Sequence, residues 1–207
     1  MYWFMDERFR TAYEKAQEVL DVLNYSTGPV DIDQIIKIIE IKENVDIKIR
    51  VESFSEQKTI TERLARCGAA MSITEVKRPE RSRPSKLARI LLNGDWPYKN
   101  MRFSLAHELG HIITGNYTVF DSASRFSVST HIDTDICSFS EEDLTDETLV
   151  KEQIANIFAL FLLMPNPTFN LTTKLFEDKE QIATYFNVDV KAVHSRLELE
   201  KTFNVET

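Results

Sequence analysis

HELGH at residues 107–111, within MRFSLAHELGHIIT (101–114), is the stretch on which the reading of this chain turns. Residues four apart share one face of a helix, so His107 and His111 can direct imidazole nitrogens at a single cation. Glu108 stands beside the first of them, where its carboxylate can reach a water at that cation without binding the cation itself. The flanks are helical. Phe103, Leu105, Leu109, Ile112 and Ile113 supply apolar positions, Asn100 is the expected N-cap, and Gly115 is placed to end the helix. A core helix with two hydrogen-bonded or solvated histidines is the competing reading.

Two imidazoles do not complete a catalytic zinc site, which takes a third protein ligand and leaves its fourth position to water. One class of zinc peptidase supplies that ligand as histidine six residues after the second histidine, with glycine three after it. Thr114 and Tyr117 stand there instead, so the third ligand is expected on another helix. ETLVKEQIANIFALFLLMP (Glu147 to Pro165) is the most helix-like apolar run, stopped by Pro165 and Pro167. On it Glu152, Ala155, Asn156 and Ala159 share a face, while Ile154, Ile157, Phe158, Phe161, Leu162 and Leu163 belong in a core. Small residues on that stripe let a partner helix come close. A lone carboxylate there is costly to bury unpaired, and a metal supplies its partner. A carboxylate stabilised near the helix start by the dipole and water is the alternative.

HELGH followed by EQIANIFALFLLMP (Glu152 to Pro165) resembles the paired motifs of the ImmA/IrrE family of metallo-endopeptidases. Further stretches resemble the family's layout: GPVDIDQIIKIIE (Gly28 to Glu40), ARILLNGDWPYKNMRFSLAHELGH (Ala88 to His111) and QIATYFNVDVKAVHSRL (Gln181 to Leu197). The resemblance implies a zincin-like α+β domain, one Zn2+ held by His107, His111 and Glu152, and Glu108 as catalytic residue. It also implies a narrow substrate class, since family members cut a helix-turn-helix repressor, often encoded beside them in a prophage or mobile element. Two segments depart from the pattern. The acidic HIDTDICSFSEEDLTDE (His131 to Glu147) lengthens the spacing between the zinc motifs, and Arg63 to Lys86 is unlike the family.

With 207 residues, the chain can bury one sizeable core plus a small helical appendage. Its hydrophobic and charged fractions, 43% and 28%, are those of a globular chain, and no run of eighteen apolar residues offers a membrane span. MYWFMDERFR turns acidic at Asp6, too early for a signal peptide. Cys67 and Cys137 are too few for a disulfide framework, so a cytoplasmic setting is expected. A net charge of −8 argues against general nucleic-acid affinity. Charge is uneven, however: Arg63 to Arg89 holds eight basic and two acidic residues and, with Pro79 and Pro84, reads as a solvated loop between strands.

The fold expected is α+β, with helices around a small, mostly antiparallel sheet. Met5 to Asn24 and Ile32 to Glu40 read as helices, the second capped by Asp31. Val45 to Phe54 reads as a half-buried strand with Val45, Ile47, Ile49 and Val51 on one side. Ala69 to Val76 and Ala88 to Asn93 read as two more, and a sheet edge beside the cleft would suit an extended substrate. Helices at 168–176, 179–186 and 189–201 follow, the last two in a helix-turn-helix outline with His194 as a structural residue. The expected division is a metallopeptidase domain over residues 1–166 and a C-terminal helical module over 167–207. Five acidic and four basic side chains between Asp178 and Lys201 favour packing or protein docking over DNA.

The chemistry expected is metal-assisted peptide hydrolysis, with Glu108 as general acid–base. Tyr117, His131 and Tyr98 are candidates for the oxyanion donor, and Asn156 for orienting Glu108 or a ligand. The alternative function is a non-catalytic protein that docks on a repressor or DNA. Glu108 argues against it, because ligation alone has no use for that carboxylate.

Overall fold

The computed structural model describes residues 7–55, 68–76, 85–117, 127–128 and 146–203. Within them the order is α1 (Glu7–Leu23), α2 (Ile32–Glu43), β1 (Val45–Glu52), β2 (Ala69–Val76), β3 (Ser85–Asn93), α3 (Tyr98–Thr114), β4 (Ser127–Val128), α4 (Glu147–Leu163), α5 (Asn166–Leu175), α6 (Lys179–Phe186) and α7 (Val190–Phe203). The fold is α+β, as the periodicities predict.

Local chemistry accounts for the helix ends. Asp31 accepts from the amides of Asp33 and Gln34 at the start of α2, and Asp146 does the same for Thr148 and Leu149 at the start of α4. Asn44 and Asn187 close α2 and α6 in the left-handed conformation. Asn100 is not a cap. Proline fixes the extended backbone at Pro97, α3 begins at Tyr98, and the Asn100 amide already donates to the Pro97 carbonyl at 2.9 Å.

The sheet has the order β1-β3-β2-β4. Its β2–β3 and β2–β4 ladders are antiparallel, whereas β1 lies on the other edge of β3 and runs parallel to it, from Val45 beside Lys86 to Glu52 beside Asn93. The inward side of β1 fades along its length: Val45 and Ile47 are buried, but Val51 is 57% exposed. The basic stretch 63–89 is not one loop. Its middle is β2, its end is β3, and Arg89 reaches across to the Thr74 hydroxyl. His194 is exposed, and its Nε2 lies 3.0 Å from Lys179 Nζ, a contact between α6 and α7.

One hydrophobic core runs from Phe9 on α1 through the sheet and α3 to Leu199 on α7. At its centre is α4, buried throughout Gln153–Leu163, with α1 against one side and α3 against another. Among the described residues no single helix is long and apolar enough to cross a membrane, and α4 and α5 are bent by 65° at their junction. The C-terminal helices are tied in by a buried cation. Arg196 is fully buried, its guanidinium 3.9 Å and 4.7 Å from the Phe161 and Phe169 ring centroids, 2.6 Å from Glu200 and within reach of the Met164 carbonyl. Burial lowers its pKa to about 10 while Glu200 opposes that, so it stays charged at neutral pH.

Removing one partner of a buried ion pair strands the other, whereas losing a surface cap costs far less. Arg196→Ala is therefore expected to lower the unfolding free energy by roughly 3 kcal/mol. Asp31→Ala should cost only about 1 kcal/mol. Urea denaturation of the two variants checks the order.

Candidate metal centre

The centre forms where α3 crosses α4. On α3, His107 and His111 are four residues apart and point the same way, their Nε2 atoms 3.0 Å from each other. On α4, Glu152 presents both carboxylate oxygens to them, Oε2 at 3.2 Å from His107 Nε2 and Oε1 at 3.4 Å from His111 Nε2. These three form the group of potential ligands found among the described residues. His107 and Glu108 are fully buried and His111 nearly so; the Glu152 side chain, 20% exposed, marks the side nearest solvent.

The remaining ring nitrogens fix what the cluster can accept. His111 Nδ1 lies 3.0 Å from the Asn116 carbonyl oxygen, which only accepts, so Nδ1 carries the proton. His107 Nδ1 faces Asn156 Oδ1 at 2.8 Å, again an acceptor. With both protons outward, each neutral imidazole turns a lone pair inward, toward the other ring and toward a carboxylate. Converging acceptors repel unless a cation or added protons lie between them. Two atoms bound to a tetrahedral zinc at about 2.0–2.1 Å are about 3.3 Å apart. The closest approaches here are 3.0 Å between the two rings and 3.2 and 3.4 Å to the two Glu152 oxygens, and one ligand atom from each of the three residues falls within 4.8 Å of the others, a cluster small enough to close on one such ion.

Sequence reasoning did not anticipate the Asn116 carbonyl. Gly115 takes φ 72°, and the turn it allows lets the Asn116 amide donate back to the His111 carbonyl while its own carbonyl receives the His111 ring. The only hint in the sequence was the glycine itself. Asn156 turns out to hold His107.

The other candidates differ in where they fall. Tyr117 follows Asn116, and its hydroxyl bonds to Lys86 Nζ, which also sits 5.1 Å from its ring centroid. Tyr98 opens α3, nine residues before His107, roughly 13 Å away along the axis, and is 61% exposed; it does not reach the cluster. His131 lies outside the described residues, as do Cys67, Cys137 and all but the last two residues of the acidic stretch.

Without metal, burial disfavours charge on Glu152, but the two imidazoles outweigh it and hold its carboxyl far below the usual range. Burial likewise pushes His111 down, yet Glu152 and Glu108 bring it above 6.5. A depressed carboxyl pKa gives stability that is present above 4.5 and lost as pH falls through the lowered value. A raised imidazole pKa gives stability present below 6.5 and lost as pH rises through the raised value. The chelator-treated protein should thus lose Tm as pH climbs past the His111 pKa, and a divalent metal, which needs neutral imidazoles, should restore most there. Thermal scans from about pH 5 to about pH 9, with and without metal, test this; a metal-induced gain that shrinks as pH rises would count against it.

A search among curated proteins finds no match. The family profile of Peptidase M78, described as the IrrE N-terminal-like domain, matches residues 43–198, a span that takes in both metal motifs and passes the expected boundary at 166. With its buried His107–His111–Glu152 cluster inside that match, the chain belongs to the Peptidase M78, IrrE N-terminal-like family, a domain of metallopeptidase type.

Proposed function

We propose that this protein is a zinc-dependent endopeptidase that hydrolyses a peptide bond in a regulatory protein. The observation that carries the reading is the inward convergence of two imidazole lone pairs and one carboxylate, with Glu108 adjacent. Two imidazole nitrogens and a carboxylate oxygen suit Zn2+ among the common divalent ions. His107, His111 and Glu152 would hold one ion per chain. When bound, it would act as a Lewis acid, acidifying water and polarising the scissile carbonyl.

The chain's own residues carry the rest. Glu108 takes a proton from the attacking water on its carboxylate and delivers it to the leaving amine. Asn156 and the Asn116 carbonyl keep the two imidazoles in the tautomer that presents Nε2, so neither ring turns away between turnovers. Tyr117 is the oxyanion donor we favour, since its hydroxyl is anchored by Lys86 and its backbone adjoins the residue that fixes His111.

For substrate, the resemblance to repressor-cleaving relatives supports a helix-turn-helix transcriptional repressor cut at few sites; the two cysteines support a cytoplasmic setting and the net charge of −8 argues against direct nucleic-acid binding. The decisive experiment is co-expression with a small helix-turn-helix protein encoded nearby, followed by mass spectrometry of the fragments. Glu108→Gln should retain bound zinc and lose between about a hundredfold and ten-thousandfold of the cleavage rate. Regulation that persists without cleavage in that variant would instead identify a binding protein.

A further inference from the structure

Glycine is among the poorest residues for a helix interior, because it surrenders the most backbone freedom there. Gly110 nevertheless stands inside α3, between the two histidines. A Cβ at this position would come 3.0 Å from Ala155 Cα, 3.0 Å from the Ala155 carbonyl oxygen and 3.1 Å from Phe158 Cδ1. Two of those three neighbours are backbone atoms of α4, which no rotamer change can move aside. The contact also sits in a telling register. Gly110 is three residues after His107 and one before His111; Ala155 is three after Glu152 and one before Asn156. It is therefore bracketed by the His107–Asn156 hydrogen bond at 2.8 Å and the His111–Glu152 approach at 3.4 Å.

We propose that Gly110 sets the spacing between α3 and α4, and through it the distance at which Glu152 meets the two imidazoles, which makes it a positioning residue for the metal. The inference rests on the reading of His107, His111 and Glu152 as ligands. His107 and His111 travel with α3, so a wedge at position 110 leaves their mutual geometry alone. Glu152 travels with α4 and bears the displacement. A methyl group at 110 forces α4 back by a few tenths of an ångström. Metal–ligand distances tolerate only about 0.2 Å. Alanine is also the better helix former, so α3 itself is not weakened by the change.

The test uses the full-length chain, stripped of metal and titrated with Zn2+ against a chromophoric chelator, then with Co2+ followed by visible absorption. Gly110→Ala is expected to bind Zn2+ about tenfold or more weakly, a loss of the size seen when the support of a ligand is disturbed. Its Co2+ spectrum should move toward that of Glu152→Ala. Leu105→Ala, a core truncation on the same helix, reports general loosening; it should lower Tm and leave Zn2+ affinity within about twofold. Wild-type affinity in Gly110→Ala, or a loss no larger than that of Leu105→Ala at a matched drop in Tm, overturns the proposal. Should Gly110→Ala fail to fold, Ala155→Ser, one atom larger at the α4 residue whose backbone meets Gly110, must weaken Zn2+ at least about threefold; unchanged affinity there overturns it equally. A wild-type chain that takes up neither ion fails the ligand reading itself, which is a separate result.

Discussion

The close crossing of α3 over α4 is the constraint on which the centre depends. It brings His107, His111 and Glu152 within 3.4 Å of one another in a region with almost no solvent. An uncompensated carboxylate facing two imidazole lone pairs in such a place would be strongly unfavourable. Positive charge has to enter, as protons on the rings or as a metal ion. The outward hydrogen bonds of both rings leave their inner nitrogens able to receive either.

Much of the surrounding architecture holds that crossing in place. Asp146 fixes where α4 begins, six residues before Glu152, and Gly115 fixes where α3 ends and how the chain turns back over His111. Contact with α1 on its far side keeps α4 buried, and Arg196 pins its C-terminal end to α5 and α7. The sheet supports α3 from another direction through β2 and β3. Both motif helices are thus braced along their lengths, which is what a site needing sub-ångström ligand placement requires.

How legible this was in the sequence differs from residue to residue. His107, Glu108 and His111 could be read together because a four-residue spacing has one geometric meaning on a helix. Glu152 could be reached by its anomaly, an acid on the small-residue face of an apolar helix. The span of β2, the bounds of α6 and the Asp31 cap followed equally from local pattern. Asn100 misled, because a residue that often caps lay three places after a proline that sets the same helix start. Arg196 is one of the four basic side chains between Asp178 and Lys201, and nothing in its sequence neighbours announces that two phenylalanines from other helices enclose it.

By itself, the sequence determined the chemistry available: two imidazoles and a flanking carboxylate on one helix, a single acid on another, and the α+β character of the chain. These are properties of spacing, and spacing acts over a turn or two of backbone. Tertiary structure alone decided that the acid and the imidazoles meet, that β1 pairs in parallel, and that Arg196 is enclosed by Phe161 and Phe169. Each of these depends on how elements distant in sequence are brought together, and that is set by burial of the whole core rather than by any local preference.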